Sequence, residues 1–159
     1  MKQATLLFLF QDDQILLAMK KRGFGAGRYN GVGGKIEGDE SIEEAAIREC
    51  QEEIDVTPFA PKRVGRLIFR NQEVEGQDML VHILAAHDWE GEPAESEEMK
   101  PEWFFMDMIP YDQMWEDDQY WLPLVLTGHT VMGEFAFDRD DHIINHDLQV
   151  VSAEKLHET

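Results

Sequence analysis

The sequence has 159 residues, the size of one ordinary domain, and 43% of them are hydrophobic, which is enough for a buried core and excludes a disordered chain. We therefore predict a single domain over residues 1–159. Its 33 acidic and 14 basic residues give a formal net charge of −19, so phosphate repulsion disfavours binding to nucleic acid polymers. The single cysteine fits a reducing, cytoplasmic compartment, and the first apolar run, 4–10, is too short to span a membrane.

The predicted elements mix strands and helices without a regular alternation. Hydrophobic runs at 4–10 and 14–20 predict a hairpin that turns at Asp12-Asp13, and a loop rich in glycine and basic residues follows over 21–34. The remaining predicted elements are a helix at 42–54, strands near 63–69, 79–87 and 102–106, a helix at 118–126, and a hairpin of 131–137 with 143–150. This order favours an α+β domain with a mixed sheet.

The first helix carries a row of carboxylates. Ser41 and Glu44 form a capping-box pattern, which predicts that the helix starts at the next residue after the serine. At about 100° per residue, Glu49, Glu52 and Glu53 fall on one arc of this helix, beside an apolar arc that can face the core. These like charges repel each other and lie in the last turns, where the helix dipole prefers cations.

A magnesium site would explain why the sequence accepts these penalties, because Mg²⁺ prefers carboxylate oxygens and often bridges them to phosphates. A solvated acidic face is the alternative for three glutamates taken alone. Two features around the helix favour the site. Gly33-Gly34 allows the backbone to approach a ligand closely, and Arg48 flanks the arc, where it could tie a loop carboxylate to the helix.

These residues resemble the signature of the Nudix hydrolases, which joins a glycine, a glutamate, an Arg-Glu pair and a Glu-Glu pair at fixed spacing. The positions that fill it in register are Gly34, Glu40, Arg48, Glu49, Cys50, Glu52, Glu53 and Val56. One position departs, because Asp55 replaces the glycine that ends the helix in the family. Aspartate tolerates the left-handed conformation better than most residues, so we expect a small loss of stability and intact chemistry.

Three further segments, 19–31, 95–99 and 114–121, are similar to the MutT-homologue branch of the family. The resemblance implies a Nudix fold, in which a mixed sheet is sandwiched between helices. It also implies a monomeric, Mg²⁺-dependent enzyme, with Mn²⁺ as a possible substitute. The implied reaction is hydrolysis of oxidised purine nucleoside triphosphates (8-oxo-dGTP and 2-hydroxy-dATP) to the monophosphate and pyrophosphate, which removes these nucleotides from the pool.

By the same resemblance, the metal ligands would be Glu49, Glu52, Glu53, Glu98 and the carbonyl of Gly33. One carboxylate would take the proton of the attacking water; Glu53 is our first choice, with Glu98 and Glu49 as alternatives. Arg48 is expected to orient glutamates rather than to touch substrate. Glu98 taken alone, within an acidic run, would be assigned to the surface.

A second group of residues would read the base. A nucleobase can stack on Trp115, and Asp117 and Asp118 can accept or, when protonated, donate hydrogen bonds; two adjacent buried acids resist ionising together, so one can keep a proton. Asn30 offers an amide to the base edge. The other candidate substrate contacts are Thr5, Lys20, Phe24, Val32, Gly33, Gly34, Lys35, Phe69, Met79, Glu116 and Trp121.

Several alternatives stay open from the sequence. Phe69, Met79 and Trp121 could equally be core residues, and Asp117-Asp118 could cap the following helix. Asn71 stands where the mammalian member of the branch has a second pocket aromatic, which weakens any statement on base preference. The alternative functions are a Nudix enzyme for another nucleoside diphosphate derivative, such as ADP-ribose, a dinucleotide or a cap, a non-catalytic nucleotide sensor, and an acidic interaction module.

Overall fold

The computed structural model describes residues 1–74 and 76–158. The strands are β1 (Lys2–Gln11), β2 (Gln14–Lys20), β3 (Tyr29–Asn30), β4 (Thr57–Phe59), β5 (Lys62–Asn71), β6 (Met79–Ala86), β7 (Asp88–Glu90), β8 (Met99–Phe105), β9 (Thr130–Phe137) and β10 (Ile143–Val151). The helices are α1 (Ile42–Ile54), α2 (Asp118–Leu126), the short α3 (Ala153–Leu156) and a 3₁₀ turn at Tyr111–Gln113. In the described part of the chain, no helix is long and apolar enough to cross a membrane.

The main sheet is mixed, as the sequence predicts. Its strands follow the order β10-β9-β5-β6-β1-β2-β3, and β8 pairs with β2. The β1–β6 and β5–β9 pairs are parallel, whereas the neighbouring β5–β6 and β9–β10 pairs are antiparallel. β4 and β7 form a separate two-stranded sheet. The predicted C-terminal hairpin is confirmed as β9 and β10.

The predicted N-terminal hairpin is confirmed only next to its turn. β1 and β2 pair at Phe10 with Ile15 and at Gln11 with Gln14, and β2 then continues along β8. The edge of β1 that this leaves is taken by the segment 32–35, through bridges to Val32 and Lys35. The prediction of an uninterrupted loop over 21–34 was wrong in one respect, because β3 lies within it and pairs with β2.

Helices cover both faces of the sheet. Because successive side chains of a strand point to opposite faces, β1 contributes to two separate clusters. Leu7 and Leu9 belong to the cluster that contains Cys50 of α1, and Phe8 belongs to the one that contains Trp121 of α2. The strand is therefore apolar along its whole middle, and the expected arrangement of a mixed sheet between helices is confirmed.

The ends of α1 form as the sequence predicts. The Ser41 Oγ accepts a hydrogen bond from the N–H of Glu44 at 3.1 Å, and the Glu44 carboxylate accepts one from the N–H of Ser41 at 2.9 Å. The helix ends at Asp55, which is left-handed with φ of 60° and donates its N–H to the carbonyl of Gln51. These two caps fix where the glutamates of the last turns lie.

We expect Asp55→Gly to raise the free energy of unfolding by about 0.5–1 kcal/mol, because glycine adopts the left-handed cap without a Cβ clash. Asp55→Ala should lower it by about 0.5 kcal/mol or more. Urea unfolding measures both. Asp55→Asn is the control for charge: if it stabilises as much as glycine does, the acidic group at the helix end, and not the backbone, is responsible. A destabilised glycine variant would contradict the strain argument.

Candidate active site

A cavity of about 270 Å³ opens between β1, the loop after β2 and the ends of β5 and β9. Eleven predicted site residues line it: Thr5, Lys20, Phe24, Asn30, Gly33, Gly34, Phe69, Met79, Trp115, Asp117 and Asp118. The structure therefore brings the predicted base-reading residues and part of the predicted phosphate-side residues to one cavity.

Trp115 is held by neighbours around its ring. Its centroid lies 5.2 Å from that of Phe24 and 6.3 Å from that of Phe137, and the Arg28 guanidinium lies 4.1 Å from the ring centroid. A Cβ on Gly25 would come within 3.4 Å of the indole. The ring is thus placed at the cavity wall by contacts from the loop after β2 and from the end of β9.

The two aspartates are buried, with 4% of Asp117 and 2% of Asp118 exposed. The Trp121 indole N–H donates to Asp117 Oδ2 at 2.7 Å, whereas Asp118 Oδ2 is buried without a hydrogen-bond partner among the described residues. Burial raises the pKa of Asp117 to about 6, against the opposing effect of the indole hydrogen bond. Burial and the charge of Asp117 raise the pKa of Asp118 well above its usual value.

The pair is therefore asymmetric. The Asp118 carboxyl therefore favours its protonated form, which can donate a hydrogen bond, more strongly than the Asp117 carboxyl does, which can accept one when ionised. The Asp117 side chain does not cap α2. Asp117 occupies the N-cap position of this helix, but its side chain makes no capping hydrogen bond. Thr5 adds a second buried oxygen, Oγ1, that has no partner in the described residues.

Four predicted contacts lie outside the cavity lining, and two of them belong to the segment on β1. Val32 is buried and exchanges backbone hydrogen bonds with Leu7 at 2.7 and 3.0 Å, so its side chain packs in the core. Lys35 pairs with β1, and its carbonyl accepts a hydrogen bond from Arg48 at 3.1 Å. The pairing of both residues with β1 positions Gly33 and Gly34, which lie between them, and neither residue lines the cavity.

The other two flank the aspartates. Trp121 is fully buried in the α2-side core and acts on the cavity only through its hydrogen bond to Asp117. Glu116 points away: its carboxylate lies 2.6 Å from His142 Nδ1 and accepts the N–H of Ile143 at 3.0 Å. Residue type and position alone do not reveal these directions.

The carboxylate end of the site is built around Glu53. Only 9% of this residue is exposed, and its Oε2 is buried without a partner among the described residues. Burial first, and then hydrogen bonding and repulsion from Glu49, raise the pKa of Glu53 to about 9. The nearby charge of Lys20 opposes the shift and that of Glu98 adds to it.

The two glycines permit this packing. A Cβ on Gly33 would lie 1.8 Å from the carbonyl oxygen of Thr5, and one on Gly34 would lie 2.5 Å from Glu49 Oε1. Neither position can hold a larger residue without moving the backbone or the carboxylate. The Gly33-Gly34 pair is therefore required because the backbone of β1 and the Glu49 carboxylate approach these two positions closely.

Arg48 contacts three of the glutamates around the start and the last turns of α1. It donates to Glu40 at 2.6 and 3.0 Å, to Glu49 at 2.9 Å and to Glu52 at 3.3 Å. These contacts, above all the hydrogen bonds to Glu40, raise the pKa of the guanidinium. The loop carboxylate is thereby tied to α1, as predicted.

The predicted metal ligands are not gathered at one point. The Glu52 side chain is 60% exposed, and Glu98 pairs with Arg22 at 3.0 Å. Within residues 1–74 and 76–158, no three His, Cys, Asp or Glu side chains are arranged to hold a metal ion. Glu49 and Glu53 nevertheless fit a divalent cation, because they present close carboxylates, one with an unpartnered oxygen, that repel each other.

Several lining residues were not predicted from the sequence, among them Arg28, Arg70, Gln77, Phe137 and Asp141. Phe137 reaches the cavity because β9 runs parallel to β5 and pairs Phe137 with Asn71. No local pattern reports such a pairing. Arg28 could have been proposed from the sequence, because it lies in the loop over 21–34 that is rich in glycine and basic residues.

A family model for the NUDIX domain matches residues 1–125. The chain is 47% identical over 152 residues to the oxidized purine nucleoside triphosphate hydrolase of Danio rerio, which covers 94% of this chain and 96% of that protein. It is 44% identical over 151 residues to the protein of the same name from Mus musculus, with coverage of 94% and 95%. A MutT protein from Bacillus halodurans has a crystal structure that superposes with a TM-score of 0.83 at 28% identity, over 94% of this chain and 98% of that one. A signature in register, a sheet between helices and matches of this extent agree, and the chain belongs to the Nudix family.

Proposed function

We propose that this protein hydrolyses oxidised purine nucleoside triphosphates to the monophosphate and pyrophosphate, and so removes them from the nucleotide pool. The observation that carries the proposal is one cavity with a buried, asymmetric aspartate pair beside an aromatic platform, and with Gly34, which packs on the Glu49 carboxylate, in its lining. The names of the zebrafish and mouse relatives support the same substrate class. We further propose that the protein is a monomer that works in a reducing, cytoplasmic compartment, with which its one cysteine, a buried free thiol, is compatible.

The base would bind at the aromatic end. Stacking on Trp115 contributes about 1–3 kcal/mol, but it does not distinguish one base from another because every base has a π face. Selection falls to Asp117 and Asp118, which offer an acceptor and a donor side by side. Because a coupled pair can exchange its proton, it can match the edges of both an oxidised guanine and an oxidised adenine. Asn30 adds an amide at the cavity wall.

The triphosphate would extend toward Lys20, Gly33 and Gly34, which line the other part of the cavity. Glu49 and Glu53, with Glu52, Glu98 and the Gly33 carbonyl, are the residues that would hold Mg²⁺ or, in its place, Mn²⁺. When bound, the ion supplies charge neutralisation between the carboxylates and the phosphates and lowers the pKa of water. Arg48 acts by holding Glu49 in place rather than by touching substrate.

Water attacks phosphorus, the bond to the departing pyrophosphate breaks, and the proton of the water passes to a carboxylate. Glu53 is our choice for this base, with Glu49 and Glu98 as alternatives. Burial and Glu49 raise its pKa to about 9, which favours the protonated form, and a cation held by the pair would lower this pKa and free the carboxylate to take the proton of the water. Its burial also keeps it out of bulk water, where a carboxylate is a weaker base.

A substrate panel tests the proposal. Release of pyrophosphate from 8-oxo-dGTP, 2-hydroxy-dATP, dGTP and ADP-ribose is measured with Mg²⁺ and with EDTA. We expect kcat/KM for the oxidised triphosphates to exceed that for dGTP at least tenfold, and turnover to vanish in EDTA. Preference for ADP-ribose would assign the site to another Nudix substrate. Binding without turnover would make the protein a nucleotide sensor.

Glu53→Gln should lower kcat for 8-oxo-dGTP by about 10²–10⁴-fold. Without metal, the same variant should raise Tm. Folding shifts the pKa of Glu53 from 4.5 to about 9, so the folded state binds the proton more tightly and wild-type stability falls as pH rises through this window. The stability difference between variant and wild type should therefore widen from pH 5 to pH 8.

Mg²⁺ provides the matching measurement. At a hundred times its Kd it should raise the wild-type Tm by about 5 °C or more, and Glu53→Gln should lose most of this shift. Glu92→Gln, at an exposed glutamate, is the control and should behave as wild type. An equal Mg²⁺ shift in wild type and Glu53→Gln would exclude Glu53 as a ligand, and a near-normal kcat would exclude it as the base.

Asp118→Ala should lower kcat/KM for 8-oxo-dGTP by about 10–100-fold and reduce its preference over dGTP, because the base loses a buried hydrogen-bond donor. Stability should not fall, since the carboxyl oxygen removed has no protein partner among the described residues. Steady-state kinetics on both nucleotides and urea unfolding measure the two effects. Asp112→Ala, at an exposed acid on the N-terminal side of Trp115, is the control. Unchanged discrimination would remove Asp118 from base recognition.

A further inference from the structure

The turn between β9 and β10, residues 138–142, contacts three segments at the base end of the cavity. At the end of β5, the Asn71 side-chain amide donates to the Asp138 carbonyl at 3.1 Å. From the loop after β2, Arg28 lies 3.7 Å from Asp141. From the residues before α2, Glu116 lies 2.6 Å from His142. One short turn thus joins three segments that are far apart in the sequence.

The turn itself is well fixed. The Asp138 carboxylate accepts the N–H of Asp140 at 2.9 Å and that of His142 at 3.0 Å, and the Asp138 N–H donates to the His142 carbonyl at 2.9 Å. Asp141 takes the left-handed conformation with φ of 64°. Because β9 continues into the sheet, these bonds give the turn a rigid base, against which the loops can be positioned.

The contact made by Glu116 is the most direct, because this residue lies between Trp115 and the aspartates. We call residues 115–118 the base-reading segment. Both oxygens of the Glu116 carboxylate are used, one facing the His142 imidazole and one accepting the backbone N–H of Ile143 at 3.0 Å. The opposite end of the segment is held by the Trp121 indole on Asp117. The segment is therefore anchored on two sides.

The surroundings of the His142 imidazole favour its charged form. Hydrogen bonding and attraction to Glu116 from the residues before α2, with Asp138 and Asp140 of its own turn, raise the pKa of His142. The hydrogen bonds from His142 and from the backbone N–H of Ile143 lower the pKa of Glu116. Charged hydrogen bonds of this kind fix geometry more strongly than neutral ones.

We propose that the Glu116–His142 pair is a positioning contact for base recognition, which fixes the base-reading segment against the β9–β10 turn. The inference rests on the proposed function, since it concerns how the same cavity holds its base. Neither residue lines the cavity, so the pair acts through Trp115 and the aspartates. The turn provides a second contact to the same indole, because Arg28, which packs on the Trp115 ring, is the partner of Asp141.

The pair contributes little to overall stability, which makes the proposal testable. The side chains are 41% and 65% exposed, and an exposed ion pair typically adds less than about 1 kcal/mol. Displacement of the base-reading segment, in contrast, weakens base binding directly. Loss of the pair should therefore raise KM while leaving kcat and Tm nearly unchanged. A purely structural contact would move Tm, or kcat and KM together.

The experiment uses the full chain and the variants Glu116→Ala, His142→Ala, the double variant and His142→Lys. Binding of the product 8-oxo-dGMP is measured by calorimetry in EDTA, and KM and kcat for 8-oxo-dGTP are measured with Mg²⁺. We expect each single alanine variant to weaken Kd and raise KM about three- to tenfold, with kcat within about twofold. The double variant should be no worse than the worse single one, and the lysine, which keeps the charge, should recover part of the loss. His129→Ala, at another exposed histidine, is the control.

The outcomes separate the two proposals. Wild-type protein that binds 8-oxo-dGMP, together with single variants that bind it equally well, overturns the positioning role and leaves the proposed function standing. Additive losses in the double variant, or a fall in Tm or kcat as large as the rise in KM, also overturn it. If wild-type protein binds no 8-oxo-dGMP and hydrolyses no oxidised triphosphate, the proposed function fails and the positioning role fails with it.

Discussion

The pairing of the segment 32–35 with the edge of β1 is the interaction on which the site depends. β1 and β2 separate after their turn, and this segment takes the backbone hydrogen bonds of the exposed edge, through Val32 and Lys35. Only glycine fits between these two residues, because a side chain at Gly33 would overlap the carbonyl of β1 and one at Gly34 would overlap the Glu49 carboxylate. The floor of the cavity, the position of Glu49 and the anchoring of Arg48 on the Lys35 carbonyl all follow from this pairing.

The charge distribution follows the same logic. A chain with a formal net charge of −19 places some of its few cations where carboxylates crowd together. Arg48 neutralises the outer glutamates of the helix, and Arg22 pairs with Glu98. Glu53 makes no ion pair within the described residues, and burial and Glu49 raise its pKa although the Lys20 charge opposes the shift. A buried carboxylate of this kind gains from a cation or a proton, which is typical of a functional carboxylate.

The base end of the cavity depends on tertiary contacts of a different kind. Asp117 and Asp118 are adjacent, yet one receives an indole N–H and the other receives no hydrogen bond from the described residues. Burial raises the pKa of both carboxyls, and the indole hydrogen bond opposes this shift at Asp117 alone because Trp121 of α2 lies beside it. The loops around the aspartates are joined by the β9–β10 turn, whose residues carry no motif. Glu116 lies inside the base-reading segment, but its carboxylate faces the β9–β10 turn.

Local patterns determined the elements, the caps of α1, the row of glutamates and the role of Arg48, because helix periodicity, capping and close spacing act over a few residues. The sequence therefore predicted α1 and α2 at their observed bounds, but not the short α3, and it named eleven of the 23 residues that line the cavity. It did not determine the early separation of β1 from β2 or the arrival of Phe137 and Asp141 at the cavity. It also did not determine the outward direction of Glu116. These features depend on strand pairings between distant parts of the chain, and only the folded sheet decides which edges meet.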